Sequence, residues 1–359
     1  MATACISFAS ASGAEDICLL PNKSDSLTEG LRAVSVTKVS QLTGEASPNR
    51  TLTRFNVWGT DLGSMTEMDG LVYMFCGDTF SNAQYGDWRS NVLFIIEDDD
   101  PSDGLTISDA VTDKWGRAKE LLLSRKIDNS QITVIPTNIF AVNGTLYCMY
   151  MSVKHWAATG GVWECEYAGL AKSEDKGQTW QKLKSVTWPG ESSFIQTANC
   201  QIGEMMYFLG IPSGRFGGAA LMRVPLEGIE NLEAYSYFTG LYDDGTPRWA
   251  TGSEHALTAV TVIDAPVGEL SLLYNEYLGN FIVTYLNEKK HGVVIREGIT
   301  PWGPWGDETV LASASRYPAL YGGFMCDKYT EEKGRIFYFA MSQYFPVYNI
   351  MWMRAELPR

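Results

Sequence analysis

The chain has 359 residues, with 42 Asp and Glu against 28 Lys and Arg and a formal net charge of −14. Nucleic acids and anionic membrane surfaces are therefore excluded as main partners, because both require clustered basic side chains. Only 19% of the residues are charged and 45% are hydrophobic, so the sequence is not that of a disordered acidic chain. No apolar run reaches the roughly 20 residues that a membrane-spanning helix needs, which predicts a globular protein without a membrane span.

Residues 1–33 are interpreted as an N-terminal extension that could contribute a closing strand. The segment has no basic start and only a short, interrupted apolar stretch, so it is a poor secretory signal. It contains Cys5 and Cys18, between which a disulfide is an open alternative. The other five cysteines are scattered without a C-x-x-C pair, and the chain has only three His. We therefore expect no metal site and no cofactor.

Residues 34–359 consist mainly of short strands rich in aromatic and β-branched residues, separated by Gly, Asn, Asp and Pro. The clearest helical pattern is the short segment Ala118–Leu123. Five strands follow a Gly or Asn turn, at residues 70, 143, 203, 268 and 334, with a mean spacing of about 66 residues. This length accommodates four strands and long loops, so the pattern predicts an all-β, single-domain, five-bladed β-propeller over residues 34–359.

The segment Ser173–Trp180 has the pattern S-x-D-x-G-x-T-W, which is called an Asp box. The pattern predicts a β-hairpin turn in which the Asp and Ser side chains bond to the loop backbone and the Trp packs inward. Such turns lie on the blades of propellers, away from the active site. We therefore interpret the segment as architectural and do not expect its residues to be catalytic.

Propellers bind ligands at the central channel, so polar residues near the ends of the repeated strands are the candidate site residues. Carboxyl groups flanked by aromatic and planar amide or guanidinium groups can support glycoside hydrolysis, and the lack of basic clusters favours a neutral polysaccharide. The candidates from this argument are Asp61, Asp78, His155, Trp156, Arg215, Glu269 and Tyr348.

Each candidate also has a structural interpretation, which the sequence leaves open. Asp61 and Asp78 could stabilise turns through their side chains. His155 could lie in a surface loop, and Arg89 could form a structural ion pair. Glu269 could pair with a buried Arg such as Arg223 or Arg296.

Three motifs in the first third of the chain resemble the endo-D-arabinanase family of glycoside hydrolases, long catalogued only as a domain of unknown function. They are Gly59–Gly63 (GTDLG), Asp69–Phe80 (DGLVYMFCGDTF) and Trp88–Val92 (WRSNV). Cys76 departs from the Phe or Gly expected there, which should change packing below Asp78 and leave the chemistry unchanged. Further matches follow in family order to the C-terminus, at Asp100–Gly104, Ile135–Asn138, Gly214–Arg215, Leu221–Pro225, Val267–Ser271, Gly303–Trp305 and Tyr348–Asn349.

The resemblance implies a five-bladed propeller that cleaves internal linkages of D-arabinan, the arabinofuranose polymer of mycobacterial and corynebacterial arabinogalactan and lipoarabinomannan. It implies Asp61 and Asp78 as the catalytic pair, with an inverting mechanism and carboxyl groups roughly 6.5–9.5 Å apart. The sequence does not distinguish acid from base; we take Asp61 as the acid and Asp78 as the base. We expect a monomer that is secreted or on the cell surface. The residues expected to bind the sugar chain are Trp88, Arg89, Asn91, Asn138, His155, Trp156, Arg215, Glu269 and Tyr348.

Three alternatives compete with this interpretation. The Asp box suggests a sialidase-like enzyme, but only one good box is present and the Arg-Ile-Pro motif expected near the first strand is missing. Other five-bladed glycosidases that act on L-arabinan or xylan share the fold and an all-carboxylate mechanism. A carbohydrate-binding propeller without activity, such as a phage tail or cell-wall recognition module, would need the aromatic residues but not Asp61 and Asp78.

Overall fold

A computed structural model describes Gly30, Leu31 and residues 34–358 of the chain. Its strands form five antiparallel sheets, which we call blades I to V in chain order. The first elements are β1 (Ser35–Gln41) and the short helix α1 (Thr51–Phe55). Blade I contains β2 (Gly59–Met68), β3 (Leu71–Phe80), β4 (Val92–Ile96) and β5 (Ile107–Ala110). Blade II contains β6 (Thr133–Val142), β7 (Thr145–Trp156), β8 (Trp163–Ser173) and β9 (Gln181–Pro189).

The remaining blades follow the same up-and-down order. Blade III contains β10 (Gln196–Ile202), β11 (Met205–Ile211), β12 (Ala219–Pro225), β13 (Ser236–Leu241) and β14 (Pro247–Thr251), and β15 (Thr261–Ile263) pairs with β12. Blade IV contains β16 (Leu270–Asn275), β17 (Asn280–Asn287), β18 (Gly292–Gly298) and β19 (Thr309–Ser313). Blade V contains β20 (Leu320–Glu331), β21 (Ile336–Gln343), β22 (Asn349–Glu356) and, on its outer edge, β1. Short 3₁₀ turns occupy Leu226–Gly228, Leu232–Ala234, Ser253–His255 and Glu332–Gly334.

The five blades form a closed ring around a central channel. The innermost strands are β2, β6, β10, β16 and β20, and each contacts the innermost strands of the two adjacent blades. The ring closes in blade V, where β1 pairs antiparallel with β22 and Val36 lies opposite Ala355. Backbone hydrogen bonds between these distant parts of the chain cover an edge that would otherwise be unpaired. The predicted all-β, single-domain, five-bladed propeller is confirmed.

The extension predicted at residues 1–33 lies outside the described residues except for Gly30 and Leu31, and so do Cys5 and Cys18. A closing strand from that segment therefore stays a prediction, and the closing strand that is described starts at Ser35. Cys76, Cys148, Cys165, Cys200 and Cys326 are free thiols. Within residues 34–358, no helix is long and apolar enough to cross a membrane.

The recurrent strands of the sequence are not all equivalent in the fold. Those following Gly70, Asn143, Gly203 and Gly334 are the second strands of their blades, next to the innermost strand. The one after Gly268 is instead β16, the innermost strand of blade IV. Both strands are apolar because both are covered by neighbouring blades, so composition does not separate them.

The helix predicted at Ala118–Leu123 is wrong, since this segment forms no helix in the structure. Its backbone groups bond elsewhere. The amides of Leu121 and Leu122 donate to Asn91 Oδ1 at 3.0 and 2.9 Å, and the Ala118 amide donates to the Phe55 carbonyl at 3.0 Å. Tertiary partners thus override a weak local preference for helix.

The Asp box forms the predicted turn, between β8 and β9. Asp175 accepts hydrogen bonds from the Thr179 amide at 2.9 Å and the Thr179 hydroxyl at 2.6 Å, and Ser173 Oγ accepts one from the Gly177 amide at 2.9 Å. Gly177 has φ of +85°, a conformation that favours glycine. Trp180 is partly buried against Phe75, with 5.0 Å between ring centroids.

Candidate active site

A cavity of about 660 Å³ occupies one mouth of the central channel, and all five blades contribute to its walls. A second cavity of about 610 Å³ lies toward the other end of the same innermost strands. The first cavity contains the acidic, aromatic and basic side chains that a sugar-cleaving site would need. Its polar and aromatic lining consists of Asp61, Asp78, Trp156, Trp163, Gln196, Arg215, Glu269, Glu288, His291, Tyr321, Tyr344 and Tyr348.

An irregularity in the pairing of β2 with β3 positions Asp61. Thr60 pairs with Thr79, and the next pair along β2 is Leu62 with Cys76, so Asp61 lies opposite the Gly77–Asp78 step. Leu62 has φ of +62°, an uncommon conformation for a bulky residue, and its amide donates to Ser342 Oγ at 2.7 Å. Bulges of this kind change the direction of a side chain, and they occur often beside functional sites.

Gly77 is required for this placement of Asp61. A Cβ atom at residue 77 would lie 2.5 Å from Asp61 Oδ1 and 3.0 Å from Leu62 Cδ1. The glycine in the Gly77–Asp78 motif therefore provides the space that the Asp61 carboxyl occupies. The residue that precedes Asp78 on β3 thus determines where the Asp61 carboxyl on β2 can lie.

The Asp61 carboxyl is buried, and its pKa is raised to about 7. Burial is the main cause and the negative charge of Asp78 adds to it, while hydrogen bonds from Tyr348 and Tyr321 oppose the shift. Tyr321 Oη donates to Asp61 Oδ2 at 2.8 Å. Asp61 Oδ1 is buried without a hydrogen-bond partner among the residues that the structure describes. Asp61 therefore keeps its proton at pH values well above the pKa that a carboxyl group usually has.

Asp78 has a different environment. Its Oδ1 accepts hydrogen bonds from Trp88 Nε1 at 2.7 Å and from Thr133 Oγ1 at 2.8 Å. Burial raises the pKa of Asp78 to about 6, and these two donors together with the charge of Lys126 limit the increase. Lys126 Nζ lies 4.1 Å from the centre of the Trp88 ring. Asp78 is thus the more readily ionised member of the pair.

A buried ion pair forms the wall of the cavity between blades III and IV. Arg215 Nε and Nη2 both bond to Glu269 Oε1, at 2.9 and 2.8 Å, and Arg215 Nη1 lies 3.6 Å from Glu288 Oε1. The Arg215 guanidinium also lies over the Tyr321 ring, 4.7 Å from its centre. Glu269 Oε2 is buried and has no partner among the described residues. This arrangement leaves one carboxylate oxygen free to accept a hydrogen bond from a ligand.

The alternative pairings considered for Glu269 are wrong. Arg223 lies over the Trp249 ring at 4.2 Å, and the Arg296 guanidinium donates to the carbonyl groups of Gly306 and Trp305.

Six of the predicted residues meet in the cavity, namely Asp61, Asp78, Trp156, Arg215, Glu269 and Tyr348. Trp88 does not line it and instead holds Asp78 through the bond described above. Asn138 lines the second cavity, and its Nδ2 is buried and unpartnered among the described residues. Asn138, which was predicted to bind the sugar chain, therefore does not lie beside the carboxyl pair.

Three other predicted sugar-binding residues have structural partners outside the cavity. Arg89 is buried and donates to the carbonyl groups of Asn56 and Ala118, at 2.8 and 2.9 Å. Asn91 is buried and its Nδ2 donates to the carbonyl groups of Leu122 and Val134. His155 lies at the surface with Nδ1 2.7 Å from Asp128 Oδ1. None of the three lines the cavity beside the carboxyl pair, and their role in sugar binding stays a prediction.

The sequence reasoning missed several cavity residues, of which Tyr321 is the most important. Tyr321 lies near the start of β20 and donates to Asp61. This innermost strand is not one of the five strands that follow the recurrent Gly or Asn turns. Glu288 and His291 lie in the turn between β17 and β18, where no local pattern marks them. In the described part of the chain, no group of three or more His, Cys, Asp or Glu side chains is arranged to hold a metal ion.

Comparison with solved structures shows a similar fold in several proteins, two of which are GH43 enzymes. A protein from Bacteroides ovatus superposes with a TM-score of 0.59 at 12% identity, covering 94% of this chain and 93% of that one. A GH43_1 enzyme from Xanthomonas citri gives 0.52 at 14% identity, with 84% and 88% coverage. A GH43 β-xylosidase/α-arabinofuranosidase from a compost microbial metagenome gives 0.51 at 13% identity, with 90% and 94% coverage.

Sequence comparison shows similarity to a fungal protein and a match to a family. Notoamide biosynthesis cluster protein J' of Aspergillus versicolor is 26% identical over 304 residues, which cover 79% of this chain and 80% of the relative. Residues 46–354 match the family described as "Domain of unknown function (DUF4185)". Since this match covers well over half of the chain, including all of blades I to IV, the chain belongs to the DUF4185 family.

Proposed function

We propose that the protein is a glycoside hydrolase that cleaves internal D-arabinofuranosyl linkages of D-arabinan, with Asp61 and Asp78 as its catalytic pair. The observation that carries the proposal is that two carboxyl groups of unequal acidity line one cavity, Asp61 with a pKa of about 7 and Asp78 with a pKa of about 6. Glycoside hydrolysis requires one protonated and one ionised carboxyl group at the same pH.

The unequal environments support an assignment of the acid and base roles. Asp61, the weaker acid, donates its proton to the glycosidic oxygen as the bond from that oxygen to the anomeric carbon breaks. Asp78, ionised and held by Trp88 and Thr133, takes a proton from the water whose oxygen bonds to the anomeric carbon. Direct attack by water from the opposite face inverts the anomeric configuration.

The choice of a neutral polysaccharide is supported by the lining of the cavity. Trp156 and Tyr348 offer aromatic faces, and the basic side chains of the described lining are Arg215, which pairs with Glu269, and His291. Arg215 is occupied by Glu269 and Glu288, so it does not offer a free charge to an anionic sugar. D-arabinan itself follows from the motif resemblance, and a secreted or cell-surface location would give access to such a cell-wall polymer.

The fold is consistent with this class of reaction. The Xanthomonas citri enzyme of similar fold was solved with xylotriose and with xylose, and the metagenomic enzyme was solved with xylotriose. At 13% identity these likenesses concern the fold, so xylan and L-arabinan belong in the substrate panel beside D-arabinan.

The test is incubation of the purified protein with mycobacterial arabinogalactan, L-arabinan and xylan, followed by separation of the released oligosaccharides. We expect internal cleavage of the D-arabinan chains, and a fall in kcat of about 100- to 10,000-fold in both Asp61→Asn and Asp78→Asn. Asp243→Asn, at an exposed loop position, is the matched control and should keep wild-type activity. Full activity in both site variants would reject the assignment, and binding without cleavage by the wild type would favour a carbohydrate-binding module.

A further inference from the structure

An aromatic surface extends from the cavity to the outer rim of the propeller, between blades V and I. Tyr344 lines the cavity and is 58% exposed, and Tyr85, in the loop between β3 and β4, is 46% exposed. The two tyrosines come from different blades and are connected by ring contacts through Phe80 and Tyr348, and interaction with Tyr344 raises the pKa of the Tyr85 hydroxyl. We call Tyr85 and Tyr344 the rim pair.

The rim pair is held in place from below by other aromatic rings. Tyr85 meets Phe80 edge to face at 4.9 Å and Trp58 at 6.3 Å, measured between ring centroids. Tyr344 meets Tyr348 edge to face at 6.0 Å. Such contacts restrict the rings while leaving one side open to solvent, which lowers the entropy lost when a ligand stacks on them.

The loop that presents Tyr85 is also rigid. Asn82 Oδ1 accepts hydrogen bonds from the amides of Gln84 and Gly86, at 3.0 and 3.1 Å, and the Ser81 amide donates to the Gly86 carbonyl at 2.9 Å. Tyr85 itself has φ of +58°, a conformation that costs free energy in a bulky residue. The loop therefore maintains an exposed tyrosine at the rim in spite of this cost.

The rim pair is directly connected with the carboxyl pair. Tyr348 contacts Tyr344 on one side, and it lines the same cavity as Asp61, where its hydroxyl lowers the pKa of the Asp61 carboxyl. A ligand stacked on Tyr344 would therefore lie next to the sugar unit that reaches Asp61. Tyr85, Tyr344 and Tyr348 contribute aromatic rings and hydroxyl groups without an acidic or basic side chain, so this surface suits a neutral ligand with apolar C–H faces and hydroxyl edges, which is the chemistry of a sugar ring.

We propose that the rim pair is a sugar-binding subsite outside the catalytic position, which increases the preference of the protein for longer glycan chains. This inference rests on the proposed function, since it takes the glycan to be the one cleaved between Asp61 and Asp78. The rim pair holds a sugar unit beyond the cleaved bond. Its contribution therefore grows with chain length and is absent for the shortest substrate.

The test compares Tyr344→Ala and Tyr85→Ala with wild type on D-arabinan oligosaccharides of increasing length. We expect KM for long chains to rise about two- to tenfold while kcat is kept, and the shortest cleaved oligosaccharide to show no change. Tyr85→Phe keeps the ring and should retain most of the affinity. Tyr242→Ala removes a tyrosine of similar exposure from the turn between β13 and β14 and is the matched control.

A second measurement separates this inference from the proposed function. Retardation of Asp61→Asn in gels containing D-arabinan measures binding without turnover, alone and combined with Tyr344→Ala. If wild type cleaves no glycan but Tyr344→Ala still weakens binding, the proposed function fails and the subsite stands. If wild type cleaves D-arabinan and Tyr344→Ala matches Tyr242→Ala at every chain length, the subsite is rejected and the function stands. If wild type neither binds nor cleaves, both are rejected.

Discussion

The Asp61 and Asp78 carboxyl groups lie on two paired strands of blade I, yet each is held by a different neighbouring blade. Asp61 accepts its hydrogen bond from Tyr321 of blade V, and Asp78 accepts one from Thr133 of blade II. The two groups are therefore fixed independently, one from each side of blade I, although both line the same cavity. Separate partners give the two carboxyl groups different environments, which is what a pair with different protonation states needs.

The activity should depend on pH with a narrow bell shape. Activity rises as Asp78 loses its proton, near its pKa of about 6, and falls as Asp61 loses its own, near its pKa of about 7. Because the charge of Asp78 affects Asp61, the two apparent values belong to the pair. Initial rates of kcat/KM between pH 4 and 9 provide the measurement, and a flat profile across pH 6 to 8 would contradict the roles assigned here.

Trp88→Phe should move the acidic limb of that profile to higher pH. The substitution removes the indole donor to Asp78, a bond that lowers the pKa of this carboxyl. The alkaline limb, set by Asp61, should move much less. Trp115→Phe, at an exposed tryptophan in the loop after β5, is the control and should leave both limbs unchanged.

The pH dependence of protein stability should report the burial of Asp61 independently of activity. The folded protein raises the pKa of Asp61 from 3.8 to about 7, so the unfolded chain loses this proton first as pH increases. Stability therefore decreases from about pH 4 to pH 7, by roughly 4 kcal/mol at most at 1.36 kcal/mol per pKa unit. Asp61→Asn lacks this loss, so its melting temperature relative to wild type should increase between pH 4 and pH 8. Parallel melting curves over that range would show that Asp61 is not strongly perturbed.

Gly77→Ala should reduce activity without unfolding the protein. The added methyl group would lie 2.5 Å from Asp61 Oδ1 and must displace the carboxyl. A displacement of about 1 Å in a catalytic group can lower the rate roughly 100-fold. Gly160→Ala is the matched control, because it lies in the wall of the same cavity and its added Cβ would meet no atom within 4 Å. Equal activity of the two variants would contradict the role given to Gly77.

Asp175→Ala should destabilise the protein and leave its activity intact. The substitution removes the acceptor of the Thr179 amide and hydroxyl in the turn between β8 and β9, at an expected cost of about 1–2 kcal/mol in unfolding free energy. Chemical denaturation measures the loss, and the assay on D-arabinan tests activity at a temperature where both proteins are folded. A loss of activity without a loss of stability would place the Asp box near the active site and refute its architectural role.

Much of the architecture could be predicted because it depends on short-range patterns. Aromatic strands after Gly or Asn turns predicted five blades, and the Ser173–Trp180 pattern predicted a turn whose hydrogen bonds are all local. The prediction of the innermost strands was less successful. The segment after Gly268 resembles the second strands in composition, since burial by neighbouring blades selects the same residue types in both positions.

The sequence by itself determined the blade count and marked Asp61 and Asp78 as candidates, because the motifs around them occupy adjacent segments of one hairpin. Only the tertiary structure decided what surrounds them. Tyr321 bonds to Asp61 from 260 residues away, and Arg89 is used by backbone carbonyl groups that no local pattern identifies. The physical reason is that burial and partners determine the acidity of a carboxyl group, and in a ring of blades these partners come from strands distant in sequence.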